Sequence, residues 1–445
     1  MQQRWTLNVR GFGKIEEAQL RLAPLMLLVG ENNTGKSYLM TLLWGLFARG
    51  HTVFPKQTPQ SKEYKACLQL LLAQPNSVSK ELEDAFFAWF NALLGRHKNT
   101  LVREILSFDD AKIEHLSISE YERQHAFELY WKDQECKEVD IETQPASKVV
   151  FRGLVNGLEM LGQPLAQQTS LEQYRVVRFI CWRFIFSGLA LPNRGTQPLY
   201  FPAARSGFML TYPSLVSGVM RAWGGENIKT RFSLPVIDFL QNLATARPDK
   251  DSNRFKSVIT FMEEHLLKGR IVQASVSNLN SYQYVAQNTK QELPYHVVSS
   301  LVGELSPILI LLRARIRFNA LIIEEPEAHL HPKLQRLFVQ AIVRLVSLGV
   351  PVWCTTHSET VFQQVNNLIK LSEHPNQAAL MKEFGYSAED ILPLDSVNAF
   401  ECVSNEKGKT IVRALQRSAE GFAVPTFNNE LIALAQETLA LMQDD

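Results

Sequence analysis

Apolar and polar positions alternate from the start of the chain: Trp5, Leu7 and Val9, then Ile15, Ala18, Leu20 and Leu22, on either side of Gly11-Phe12-Gly13. A period of two predicts strands, and the glycines between them predict a hairpin or meander. An unbroken apolar run over residues 25–29 predicts a buried strand. Leu39, Leu42, Leu43, Leu46 and Phe47 follow at helical spacing, so strand, polar loop and helix come in that order.

From 52 to 195 the pattern is mainly helical with short strands. Residues 61–107 carry helical periodicity, 112–150 read as short strands around a charged turn at 131–140, and 168–190 read as helix again. No heptad array is long enough for a coiled-coil arm, and no internal repeat or low-complexity segment is present. A clear α/β rhythm returns late. Residues 319–332 (NALIIEEPEAHLHP) predict a strand ending in acids, and residues 349–359 (GVPVWCTTHSE) a second buried strand ending in polar residues. Leu334, Leu337, Phe338, Ala341, Ile342 and Leu345 mark one helix face; Val361, Phe362, Val365, Leu368 and Ile369 mark another. Residues 372–445 are expected to form a small α/β appendage closing with a helix. Strands alternating with helices predict a parallel sheet with ligands at the strand C-termini.

Composition narrows the class. A chain of 445 residues has room for about two or three domains. Its net charge of +1 gives no bulk attraction to nucleic acid or anionic lipid, although a local basic patch stays open. The five cysteines form no CxxC pair, which argues against a disulfide framework or a thiolate zinc site. The N-terminus has no apolar signal core, and no apolar run approaches the roughly 20 residues of a membrane span. The expectation is a soluble, cytoplasmic protein with no membrane association.

Five sites carry candidate chemistry. Gly30-Glu31-Asn32-Asn33-Thr34-Gly35-Lys36-Ser37 matches GxxxxGK[ST] in full. Glycines let the backbone curl so that N–H groups face phosphate oxygens, and the following helix N-terminus adds partial positive charge. Lys36 can then reach the β- and γ-phosphates while Ser37 ligates Mg²⁺. Glu324 and Glu325 are adjacent acids at the end of an apolar strand, an arrangement that repulsion and desolvation oppose unless a cation and a water use it. Glu324 is the candidate metal-shell ligand and Glu325 the base for water. His357, one strand later, is placed to hydrogen-bond a γ-phosphate. Ser299 and Ser300 precede an apolar helix and can present hydroxyls to an anion, but spacing alone favours an ordinary helix start with Ser306 as N-cap and Pro307 at N1. Arg205, in a loop bounded by proline and glycine, is open to two readings, a phosphate contact or a pair with a surface carboxylate.

Taken together, the motifs NVRGFGKIEEAQLRL (8–22), GENNTGKS (30–37), YFPAARSGF (200–208), EEPEAHLHP (324–332) and TTHSE (355–359) resemble the ABC-class ATPase heads of the RecF/SMC group, with the nearest likeness to the OLD-like ATPases of bacterial anti-phage systems. The resemblance covers residues 1–50 and 195–370. It implies an α/β, ABC-type P-loop NTPase head: a mixed sheet with flanking helices, an antiparallel β-subdomain and a mainly helical insertion. The expected division is an N-terminal lobe 1–51, an insertion 52–195, a C-terminal lobe 196–371 and the appendage 372–445. It also implies a homodimer or higher homo-oligomer sandwiching ATP and Mg²⁺, with Gly30, Asn32, Asn33, Thr34, Gly35, Lys36, Ser37 and Arg205 of one copy, and Ser299 or Ser300 of the other, around each nucleotide. Glu325 becomes the catalytic base and His357 the switch histidine.

This chain departs from the pattern in three ways. Glu324 replaces the usual aspartate, the signature lacks its double glycine and contains Pro307, and the Q-loop glutamine has no clear counterpart, with Gln57 and Gln60 as guesses. OLD nucleases also fuse a TOPRIM domain carrying a DxD after the head. The residues after Ile369 contain no DxD and are too few for that domain. The resemblance therefore implies an ATPase controlling a separate effector, a nuclease, with DNA or a phage protein as trigger. A slow ATP-dependent scaffold and a RecF-like DNA clamp are the alternatives.

Overall fold

The computed structural model describes residues 3–123, 126–132, 150–154, 157–186, 197–212, 232–248, 254–276, 279–418 and 421–442. The N-terminal part runs β1 (Gln3–Phe12), β2 (Ile15–Arg21), β3 (Leu25–Gly30), α1 (Lys36–Arg49), α2 (Lys62–Ala73), α3 (Lys80–Leu106), β4 (Ile113–Arg123), β5 (Glu128–Lys132), β6 (Val150–Leu154), β7 (Gly157–Leu161), α4 (Ser170–Phe186) and β8 (Leu199–Phe201). It continues through α5 (Leu234–Thr245), α6 (Lys256–Phe261), β9 (Gly269–Val276), β10 (Leu279–Ala286), β11 (Glu292–Pro294), α7 (Ser300–Arg313), β12 (Leu321–Glu324), α8 (Pro332–Ser347), β13 (Val352–Thr356), α9 (Glu359–Glu373) and α10 (Gln377–Phe384). β14 (Val397–Ser404), β15 (Thr410–Ala414), β16 (Arg417–Ser418), β17 (Gly421–Phe422) and α11 (Pro425–Met442) complete the order.

The largest sheet has nine strands in the order β4-β1-β2-β15-β14-β3-β13-β12-β8. Its half from β14 to β8 is parallel throughout, and β4, β1 and β2 form an antiparallel edge. This is the mixed α/β architecture, with an antiparallel β-subdomain, that the motif order leads one to expect. The unbroken apolar runs follow from burial on both faces. Met26 and Leu28 of β3 enter the core that contains α1, whereas Leu25, Leu27 and Val29 enter the core shared by α7, α8 and α9. β12 and β13 divide the same way, with Ile322 and Trp353 on one side and Ile323 and Cys354 on the other.

Two of the expected segments pack into the rest of the chain. Within 372–445, β14 lies parallel to β3, with Val397 opposite Leu25 and Cys402 opposite Gly30, and β15 fills the place between β14 and β2. A local pattern reveals a strand but not the neighbour it pairs with. The stretch 52–195 likewise shares its core with the rest of the chain. α2, α3 and α4 contribute Phe86, Phe90, Ile105 and Phe184 to the same core as α1, and β4 extends the main sheet beyond β1. Gly45 of α1 allows this close packing, since a Cβ there would lie 2.1 Å from Ile105 Cδ1. The expected charged turn falls largely on residues 133–140, outside the described residues.

α11 ends the described chain with Ile432, Leu434, Leu439 and Leu441 exposed. Among the described residues, Cys67, Cys181, Cys354 and Cys402 are free and buried. Among the described residues, no helix is long and apolar enough to cross a membrane.

Candidate nucleotide site

β3, β13 and β12 are adjacent and parallel, so their C-terminal ends open at one edge of the sheet. Thr356 is opposite Val29 and Glu324 is opposite Thr355. The next residues along are Gly30, His357 and Glu325. Register alone therefore brings together the three motifs that the sequence scatters over more than three hundred positions.

The phosphate-type loop begins where Gly30 adopts φ 139°. A Cβ there would lie 2.5 Å from the Cys402 carbonyl oxygen of β14, so both conformation and space require glycine. Asn33 (φ 63°) and Gly35 (φ 89°) complete the left-handed curl, and Thr34 Oγ1 donates to the Glu31 carbonyl at 2.9 Å. Gly35 is the N-cap of α1 and no side chain caps that end. The first N–H groups of the helix therefore have no intrahelical acceptor, which is the chemistry an anion requires. Lys36 is 5% exposed and folds back over its own loop, donating to the carbonyls of Gly30 (2.9 Å) and Glu31 (2.6 Å). Burial holds its ammonium below the ordinary lysine pKa, opposed by Cys402 and by Glu325 and Glu327.

The paired acids differ in environment. Glu324 is buried, and its two oxygens accept from Tyr200 Oη (2.8 Å) and from the Ala203 N–H (3.1 Å). Tyr200 Oη also lies 3.2 Å from Thr41 Oγ1 of α1. Glu324 shares a cavity of about 340 Å³ with Ser37 and Thr41. Among the described residues, no group of three or more His, Cys, Asp or Glu is arranged to hold a metal alone. Ser37 and Glu324, two oxygen donors on one cavity, fit a Mg²⁺ that takes its remaining ligands from water and phosphate.

Glu325 is half-exposed with φ 45°, an unusual value for a residue with a side chain. Its N–H donates to the Thr355 carbonyl (3.0 Å), and its Oε1 is 3.5 Å from His357 Nε2. The hydrogen bond to His357 is the main cause that holds the Glu325 carboxyl below the usual glutamate range, while partial burial opposes it. The His357 N–H is fixed at 2.6 Å by Glu327 Oε1. Glu327, the third acid of the 324–332 motif, and Tyr200 are the functional neighbours that sequence reasoning missed. Each lay within a quoted motif, but nothing in spacing marks which side chain turns inward.

Three residues lie in surroundings other than those expected. Arg205 is 1% exposed, and the nucleotide role expected from the resemblance does not fit its surroundings. Nη1 binds the carbonyls of Pro202 (3.1 Å) and Glu324 (2.5 Å), Nη2 binds Glu325 O (3.1 Å), and Nε binds Glu304 O (3.2 Å). Its carboxylate partner, Glu304, is equally buried, so the alternative of a surface pair fails too; Nε and Oε2 are 3.0 Å apart. Ser306 and Pro307 do not start a helix. α7 already begins at Ser300 with Ser299 as N-cap, and Pro307 lies inside it. Ser306 instead bonds back to the Val302 carbonyl. Ser299 and Ser300 are exposed at this end, with no side-chain capping bond. Gln57 and Gln60 lie exposed between Val53 and α2.

Residues 226–361 match a family described as an AAA ATPase domain, a span that holds α7, both acids and His357 but not the Lys36 loop. No curated protein matches the sequence. Similar solved structures include an SMC head bound to the C-winged helix domain of ScpA, at TM-score 0.37 and 9% identity over 92% of this chain and 97% of that one. Another is the SMC head domain from Thermotoga maritima, at TM-score 0.33 and 8% identity over 94% and 100%. A third is an SMC head with an extended coiled coil, bound to the C-terminal domain of ScpA derived from Pyrococcus furiosus, at TM-score 0.32 and 9% identity over 98% and 100%. The chain therefore has a mixed α/β fold, and its residues 226–361 are similar to an AAA ATPase domain.

Proposed function

We propose that this protein binds ATP with Mg²⁺ at the 30–37 loop, hydrolyses it, and does so between two copies of the chain. The observation that carries this reading is the convergence of Lys36, Glu325 and His357 at neighbouring ends of three parallel strands. Lys36 exchanges the Gly30 and Glu31 carbonyls for β- and γ-phosphate oxygens. Glu325, ionised at neutral pH and half-exposed, accepts the proton of the attacking water. His357 donates to a γ-phosphate oxygen while Glu327 fixes its backbone. Bound Mg²⁺, held by Ser37 and Glu324, supplies charge neutralisation at the phosphates.

The two-copy reading rests on Ser299 and Ser300, exposed at the start of α7. They are the groups that reach the γ-phosphate held by a second head. Nucleotide at such an interface favours the closed pair by its differential affinity, and hydrolysis resets it. The output we infer is control of a separate nuclease in anti-phage defence, supported by the likeness of the 200–208 and 324–332 motifs to OLD-like ATPases.

Glu325→Gln is the test. This variant should lose turnover by about a hundredfold or more, the scale of a general base, while it retains ATP and shifts to a dimer or larger species when ATP is added. A variant that neither binds ATP nor changes mass sinks the two-copy reading. Lys36→Ala should lose ATP binding, and retained affinity would remove the loop assignment.

A further inference from the structure

Residues 200–206 touch three parts of the site at once. Tyr200 Oη and the Ala203 N–H hold the Glu324 carboxylate. Arg205 binds the carbonyls of both Glu324 and Glu325. Arg205 and Ser206 together hold Glu304, one turn into α7: Arg205 Nε donates to its carbonyl and lies 3.0 Å from its Oε2 as an ion pair, and the Ser206 N–H donates to its Oε1 at 3.0 Å. Contact with α7 is so close that a Cβ on Gly303 would lie 2.9 Å from Ser206 Cβ.

This geometry is poorly explained by stability alone. A buried ion pair costs two desolvations and is commonly matched by apolar residues of the same volume. A planar guanidinium bonded to four fixed carbonyls is, in contrast, a rigid strut with little freedom to re-form elsewhere. Two of its oxygens belong to the strand end whose second acid sits in a disfavoured left-handed conformation. The Glu304 carbonyl and carboxylate belong to the helix whose exposed N-terminus faces outward. Movement of α7 must therefore move the Arg205 fork, and with it the backbone that aims Glu325.

We propose that Arg205 is a positioning residue that couples the α7 N-terminus to the Glu324–Glu325 strand end, so that nucleotide engaged by Ser299 and Ser300 is registered at the acids of the same subunit. This rests on the two-copy reading above, and the test separates them. A Lys36→Ala subunit, unable to hold its own ATP, is isotopically distinguished and mixed with excess wild-type protein and ATP. Backbone hydrogen exchange is then followed at 300–304 and 321–327 of the distinguished subunit, each as the ratio with and without ATP. Both segments should slow, by about fivefold or more on the scale of local opening.

Adding Arg205→Lys, which keeps the charge but loses the fork, should leave the response at 300–304 and abolish it at 321–327. Glu304→Gln, which keeps an acceptor for the Ser206 N–H, should do the same and guards against a misfolded lysine variant. A structural role alone would raise exchange without ATP and leave the ratio intact. An unchanged ratio at 321–327 in both variants, or no response there in the Lys36→Ala parent, overturns the coupling alone. No response at 300–304 in the parent overturns the two-copy reading and the coupling with it.

Discussion

His357 Nε2 lies 3.5 Å from Glu325 Oε1, so the histidine and the acid that follows Glu324 form one unit across two strands. The contact has a sign. Its hydrogen bond lowers the Glu325 pKa, so the carboxylate is present above the ordinary glutamate value and is lost only as pH falls through a lower one.

His357→Ala removes the main cause of that lowering. The acid limb of the ATPase pH profile should then move to higher pH, towards the ordinary glutamate value of about 4.3. The wild-type limb should lie below it. Steady-state rates from pH 3.5 to 7, with ATP saturating, read this directly. A limb that stays in place would mean that Glu325 is not the titrating base.

Gly30 ties the phosphate-type loop to the C-terminal part of the chain through the Cys402 carbonyl. Gly30→Ala meets both a positive φ and that carbonyl at 2.5 Å. It should destabilise the fold by about 1–3 kcal/mol and abolish ATP binding. Gly408, with φ 68° and open space around it, is the control: Gly408→Ala should cost about 1 kcal/mol and leave binding intact. Urea unfolding midpoints and nucleotide titrations distinguish the two.

Tyr200 supplies the donor that holds Glu324 Oε1 and meets Thr41. Tyr200→Phe leaves a buried carboxylate oxygen and a hydroxyl short of a partner, at a cost of about 1–3 kcal/mol. A matching loss in the urea midpoint is expected. An unchanged midpoint would mean that water replaces the phenol without penalty.

Tyr200 also marks where sequence reasoning stops. The Lys36 loop, the paired acids and His357 were legible because each couples a chemical pattern to the end of an apolar run. The inward turn of Tyr200, the hold of Glu327 on His357 and the burial of Arg205 depend on packing between segments from 30 to over a hundred residues apart, which no local period encodes. Arg205 shows the limit: an arginine in a polar loop suggests solvent or phosphate, and only the fold reveals four carbonyls waiting for it. The insertion followed the same rule. Its helices could be read one by one, but not the core they share with α1.

The C-terminal residues provide the sharpest test of the architecture. Deletion of residues 397–445 removes β14 and β15, leaving β3 and β2 with unpaired backbone edges beside the phosphate-type loop. Such groups are satisfied in the intact chain only by those strands, so the truncated chain should fail to fold cooperatively. Deletion of residues 425–445 is different. Residues 432–441 of α11 are exposed throughout, whereas Phe422 and Val424 before them are buried, and Asn366 of α9 holds the Phe422 backbone through its side-chain amide. The shorter truncation keeps that anchor, so stability should change by less than about 0.5 kcal/mol. ATP binding should also persist. Calorimetry of both truncations decides the matter, and a folded 1–396 fragment that binds ATP would mean that this region is a dispensable appendage.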